Sequence, residues 1–174
     1  MKKIGISKEE LDRLAELEVG ELVGTFDSEQ KEVLMVLRFH LHAENLLERI
    51  ILVSIDRADK LLEKAGLSFH QKLCLVEALS VVDDRYLESL RKINKLRNNC
   101  AHMKSASISM QEIEMIGRPL GKEYTKLKKE CGNDVVPMME GVFAKVGGHL
   151  VGRTLFSEFS VDDVEDGKES KAGE

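Results

Sequence analysis

Apolar residues recur every three or four positions along nearly the whole of this chain, and no run alternates long enough to make a strand. Such a chain can bury its side chains by winding into amphipathic helices and packing them together. Ser7-Lys8-Glu9-Glu10 reads as a capping box before Leu11, Leu14 and Leu17, predicting a first helix from Lys8 to Glu18 that Gly20 and Gly24 end. Ser28 is placed to cap a long second helix from Glu29, with Val33, Leu37, Leu41, Leu47, Ile51 and Ile55 on its apolar stripe and one polar interruption, Glu44. The spacing runs on through Ala58, Leu61 and Leu62 to Gly66, with a break near Asp56.

Ser68 opens a third helix carrying Leu73, Val76 and Leu79, and Asp83 caps a fourth carrying Leu87, Leu90, Ile93 and Leu96 as far as His102. A polar loop, Ser105 to Ser109, separates it from helical stretches at Met110–Ile116 and Leu120–Cys131, which Pro119 interrupts. Asn133 is the expected cap of a last helix from Asp134 to about Phe156, with Pro137 tolerated in the first turn. Gly141, Ala144, Gly148 and Gly152 predict a smooth stripe for a close helix contact, because no strand precedes them to form a phosphate-binding turn. The architecture expected is an all-α, up-and-down bundle of about five to six helices in a single domain, residues 1–157.

Charge divides the chain unevenly. Residues 158–174 carry seven acids and two lysines, which accounts for the whole formal charge of −5 and leaves residues 1–157 neutral. This segment reads as an acidic, disordered tail. The longest apolar stretches are far short of a membrane span of about 20 residues, and the start of the chain lacks the apolar core of a signal peptide. A cytoplasmic protein that enters no membrane is therefore expected. Cys74, Cys100 and Cys131 are odd in number and have no metal-ligand spacing, so they read as reduced thiols.

The segment Leu90-Arg91-Lys92-Ile93-Asn94-Lys95-Leu96-Arg97-Asn98-Asn99-Cys100-Ala101-His102 carries the chemistry. Residues 85–104 hold Arg85, Arg91, Lys92, Lys95, Arg97 and Lys104 against the single acid Glu88, an excess that attracts phosphate. Arg97 offers a permanently charged fork, and His102 can exchange a proton near neutral pH. Five helical steps set them about 140° apart around one axis, so the two serve one site if the helix ends before His102 or if a second copy of the chain completes the cleft. Asn98 and His102, four apart, share a face.

Arg97-Asn98-Asn99-Cys100-Ala101-His102 resembles the Arg-x4-His signature of HEPN (higher eukaryotes and prokaryotes nucleotide-binding) domains. The flanking Ser68-Phe69-His70-Gln71-Lys72-Leu73, Ala78-Leu79 and Leu96-Arg97-Asn98 are similar to the bacterial branch near the mannitol-repressor-like proteins. The resemblance covers about residues 30–102 and implies a HEPN-like helical core over about 29–156. It also implies a homodimer whose paired motifs cleave RNA without a metal or other cofactor. His102 would then be the general acid or base, Arg97 would stabilise charge growing on phosphorus and Asn98 would orient the pair. Glu44, with His40 one turn before it, resembles a supporting polar residue beside the motif, and Arg91, Lys95 and Lys104 would hold phosphate or RNA. A toxin subgroup carries Tyr two residues after the His, where this chain has Lys104.

Plainer readings stand beside these. Arg97 can pair with an acid while His102 ends its helix near the negative dipole end, and His40 and Glu44 can satisfy each other at i, i+4. His42 lies on another helix face from His40, and His70 and His149 read as surface or packing residues. Three functions compete: a ribonuclease of toxin or phage-defence type held in check by an antitoxin or other regulatory protein, a non-catalytic dimeric regulator similar to mannitol-repressor-like proteins, and nucleotide binding without turnover. Direct DNA binding is least supported, since no basic recognition helix occurs outside residues 85–104.

Overall fold

A computed structural model describes residues 4–24, 32–102 and 108–161, without the side chains of Ala101, His102 and Val161. Among the described residues the chain forms eight α-helices: α1 (Lys8–Gly24), α2 (Glu32–Ser54), α3 (Ala58–Ala65), α4 (Phe69–Ala78), α5 (Asp84–His102), α6 (Met110–Gly117), α7 (Lys122–Cys131) and α8 (Val135–Glu158). A 3-10 turn at Arg118–Leu120, with Pro119 inside it, joins α6 to α7. This is the all-α bundle the apolar spacing predicts, divided more finely because left-handed Arg57 (φ 58°) and Gly66 (φ 55°) bracket α3. No described helix is long and apolar enough to cross a membrane.

Two long helices, α2 and α8, form the centre of the bundle. Phe39 of α2 stacks on Phe143 of α8 with ring centroids 4.4 Å apart, and Val36, Leu47, Ile50, Val146 and Leu150 are fully buried around them. α1 lies on α8, α4 and α5 pack beside α2, and α6 and α7 cover the remaining flank of α8. Burying one such side chain contributes about 1.5–3 kcal/mol, so this central seam outweighs the helix propensity of any single residue.

Several boundaries differ from the sequence expectation, each for a local reason. α1 continues through Gly20 to Gly24, because Leu22 is buried in the core and its packing exceeds the cost of about 1 kcal/mol for a glycine inside a helix. Ser28 lies outside the described residues. The cap of α8 is Asp134, not Asn133, and its carboxylate accepts from the Val136 N–H at 3.3 Å. The expected Gly141, Ala144, Gly148 and Gly152 contact stripe does not form as one face. Methyl groups on Gly148 or Gly152 would meet open space, whereas one on Gly147 would stand 2.5 Å from the Leu22 side chain. Close approach falls at Gly147, on the buried face, and at one member of the expected stripe, Gly141, where a methyl group would stand 2.8 Å from the Leu127 side chain of α7.

A short parallel pair was not expected. β1 (Ile4–Ile6) pairs with β2 (Phe159–Val161), with Ile4 opposite Phe159. Three residues are too few to show an alternating pattern, so the pairing left no periodic trace in the sequence. The acidic segment therefore does not begin at 158 as a tail: Glu158 closes α8 and residues 159–161 belong to the sheet, while 162–174 lie outside the described residues.

One ion-pair cluster ties three helices together near this end. The Arg49 guanidinium on α2 donates Nε and Nη2 to the two Glu158 oxygens on α8, at 2.8 and 2.7 Å, and Nη1 to Glu18 of α1 at 2.5 Å. Those bonds hold the Arg49 pKa well above the ordinary arginine value. A planar fork meeting a carboxylate with two parallel bonds is the strong form of the pair.

Candidate functional site

The cleft beside the Arg-x4-His segment is built from three helices. At the start of α4, the Ser68 hydroxyl accepts from the Gln71 N–H and the Gln71 side chain accepts from the Ser68 N–H, a complete capping box. That cap fixes where the helix begins and so carries Phe69 beneath His40 of α2, with ring centroids 4.1 Å apart. One turn further along, the buried Lys72 ammonium donates to Glu44 at 2.5 Å and to Glu48 at 2.6 Å, both on α2. Burial works against the Lys72 charge, but its bonds to Glu44 and Glu48 outweigh that and raise its pKa.

α5 closes the third side. Asn94, Arg97 and Asn98 stand at i, i+3 and i+4, the spacing that puts side chains on one face, and all three line the cleft together with His40, Glu44 and His70. Its volume is about 360 Å³, within the range of small-ligand sites. His40 is 7% exposed, and its Nε2 lies 3.0 Å from Asn94 Oδ1. Burial lowers the His40 pKa, and the nearby Arg97 and Lys72 charges act in the same direction against the opposing pull of Asn94 and Glu44. The imidazole is therefore neutral near pH 7. Among the described residues the half-buried Arg97 guanidinium has one hydrogen-bond partner, Asn98 Oδ1 at 3.2 Å, and no carboxylate.

Four of the residues singled out in the sequence thus meet in one place: Arg97, Asn98, Glu44 and His40. The expected i, i+4 pairing of His40 with Glu44 does not occur, because Lys72 takes the carboxylate and Asn94 takes the imidazole. Nor, among the described residues, does Arg97 pair with an acid. α5 remains helical through His102, so the alternative in which the helix ends before His102 is corrected. Lys104 and the His102 side chain lie outside the described residues.

The two remaining cations stand elsewhere. Arg91 donates to Glu77 of α4 at 2.5 Å and also faces Glu88, which Lys92 pairs with as well. The run is less cationic in three dimensions than along the sequence, since α4 supplies Glu77. Lys95 lines a separate groove of about 250 Å³ between α5 and α6, over Leu96, Met115 and Ile116 and beside Arg118. A larger cleft of about 500 Å³ at the α4–α5 turn includes Ser80, Asp83, His149 and Arg153. Asp83 is engaged by Arg85 and Arg153 by the Val81 carbonyl, whereas His149 stacks on Tyr86 at 3.8 Å and its buried Nε2 has no hydrogen-bond partner among the described residues.

Sequence reasoning missed Asn94 and Lys72. Asn94 was legible as the residue three before Arg97 and four before Asn98, on their shared helix face. Lys72 left no such signal, since nothing along the chain announces that a lysine on α4 will be buried against Glu44 and Glu48. Among the described residues no group of three or more His, Cys, Asp or Glu side chains could hold a metal ion. The chain matches no protein-family model, no curated protein and no solved structure.

Proposed function

We propose that the chain is a HEPN-like endoribonuclease that cleaves RNA without a metal, with a composite site completed by a second copy of itself. The observation that carries this reading is the Arg97 guanidinium, which stands in a cleft with Asn98 and has no carboxylate partner among the described residues. A half-buried arginine left unmatched in this way is a ready partner for a phosphodiester. Arg97 stabilises the charge that grows on the phosphate oxygens, and Asn98 holds one arm of its fork. His102 of one copy takes the proton from the ribose 2′-hydroxyl as that oxygen attacks phosphorus, and the partner's His102, protonated, gives a proton to the 5′-oxygen as the bond from phosphorus to that oxygen breaks, which leaves a 2′,3′-cyclic phosphate. With α5 helical through His102, Arg97 and His102 of one chain are about 140° apart, and a dimer supplies the pair.

The test is digestion of a mixed RNA pool in EDTA by the purified protein, beside Arg97→Ala and His102→Ala variants of equal fold and oligomeric state. Cleavage that survives chelation and vanishes in both variants supports the reading. Absent cleavage, or cleavage that neither substitution alters, removes it.

A second reading, a non-catalytic dimeric regulator that contacts another protein, is favoured by one observation. Arg91 and Lys92 are already engaged by Glu77 and Glu88, which leaves fewer free cations than RNA binding usually draws on. In that case the protein is a dimer that leaves the RNA pool intact.

A further inference from the structure

The notable feature of the cleft is that its buried histidine does not face it as an acid or base. His40 is packed against Phe69 and Asn94, and at 7% exposed it offers little of its ring to the cleft it helps to line. Its role must lie in what it does to Asn94. An asparagine side chain has one accepting and one donating end, and which end faces outward depends on its neighbours. Here Asn94 Oδ1 lies 3.0 Å from His40 Nε2, and with the imidazole proton on Nε2 the ring donates to that oxygen. In that tautomer the Asn94 amide nitrogen is the end that His40 does not engage. Asn94 lines the cleft one helical turn from Arg97, on the same face of α5.

We infer that Asn94 is a second anion-binding residue of this cleft, and that His40 is a positioning residue that holds the Asn94 amide with its N–H groups toward the ligand. The ligand class is a phosphate ester, held between the Arg97 fork and the Asn94 amide. Two donor groups one turn apart on one helix face can contact two oxygens of a single phosphate, which a lone arginine bonded sideways to Asn98 does less well. Lys72 contributes indirectly: it neutralises Glu44, which lines the same cleft and would otherwise repel an anion. The inference rests on the phosphate-binding half of the proposed function and is independent of cleavage.

The experiment measures binding of a short 2′-O-methyl oligoribonucleotide, which lacks the attacking hydroxyl, by fluorescence anisotropy to the full chain. Asn94→Asp keeps an oxygen for His40 but replaces the outward donor with an acceptor. His40→Phe keeps a ring over Phe69 and deletes the donor, while His40→Gln deletes the ring and keeps a donor at similar reach. Losing a hydrogen bond to a charged group predicts binding about tenfold weaker or worse for Asn94→Asp and His40→Phe, with His40→Gln within about threefold of the parent.

The reverse order for the two His40 variants would overturn the inference, because it would mean that ring packing and not the donor matters. So would parent-like binding by Asn94→Asp, or a parent protein that does not bind the oligonucleotide. Thermal unfolding of each variant confirms that the comparison is made on folded protein. Should the binding pattern hold while no RNA is cut under any condition, the ribonuclease reading fails and this assignment stands.

Discussion

Arg49 and Arg97 are both half-buried arginines of the same bundle, and their surroundings differ in one respect. Arg49 is met on both sides by carboxylates brought from α1 and α8, whereas Arg97 faces a cleft with a neutral amide beside it. The first arrangement spends the guanidinium on joining helices. The second meets no carboxylate among the described residues, which on the proposed reading leaves it for an anion from outside. The contrast separates structural from functional use of one residue type without any appeal to motif, and it can be broken by substitution at either end.

The largest effect expected is on catalysis at the open arginine. Arg97→Ala should lower single-turnover RNA cleavage about 10²- to 10³-fold, the range for removing one preorganised donor from a developing charge. Its unfolding midpoint in denaturant should stay close to that of the parent. A large loss of stability would instead place Arg97 in the same class as Arg49.

Arg49→Ala should behave in the opposite way. Deleting one member of a partly buried, bidentate network leaves Glu18 and Glu158 facing each other without a cation, at a cost of about 2 kcal/mol once partial solvent screening is allowed for. Urea unfolding would read this directly, and cleavage per folded molecule should be unchanged. Arg49→Lys should recover part of the loss, since a lysine cannot meet a carboxylate with two parallel bonds.

The difference between the two arginines explains what could be read from the sequence. Ser7 with Glu10 and Ser68 with Gln71 are capping boxes because they lie three residues apart, and both form as bonds. Glu44 was visible as the polar break in an apolar stripe, and it does line the cleft. What was not legible depends on pairings across long stretches of chain. Arg49 meets Glu158, 109 residues away, and His40 meets Asn94, 54 residues away. Local spacing does not encode either pairing. The same holds for β1 and β2, which are joined from opposite ends of the described chain, and for Gly147, whose closeness to Leu22 follows from how α1 lies on α8.

A smaller effect would come from making the open arginine resemble the closed one. Asn98→Asp places a carboxylate where the Arg97 fork finds its one partner among the described residues, at 3.2 Å. The pair is near the surface, so stability should rise by no more than about 0.5 kcal/mol. Oligonucleotide binding should nevertheless weaken, because the new charge competes with the phosphate for the same guanidinium. If binding were unchanged, the availability of Arg97 would not be what defines the site.

The smallest effect is a pH dependence shared by both regions. His40 at the cleft and His42 near the Arg49 cluster have pKa values lowered from the ordinary 6.5, in each case chiefly by burial, and so does His149 at the α4–α5 turn. A histidine whose folded-state pKa is depressed holds fewer protons than the unfolded chain as pH falls through 6.5, so the unfolded state gains relative to the folded one. Stability should therefore decline as pH falls through the ordinary 6.5 and level off only below the folded-state values. The acids with clearly shifted values, Glu10 and Asp83, are lowered from 4.5 and 3.8, and their loss comes at lower pH. Thermal unfolding across that window checks the sign. His40→Gln should flatten the decline by one histidine's share, and a slope identical to the parent's would show that His40 does not titrate with folding.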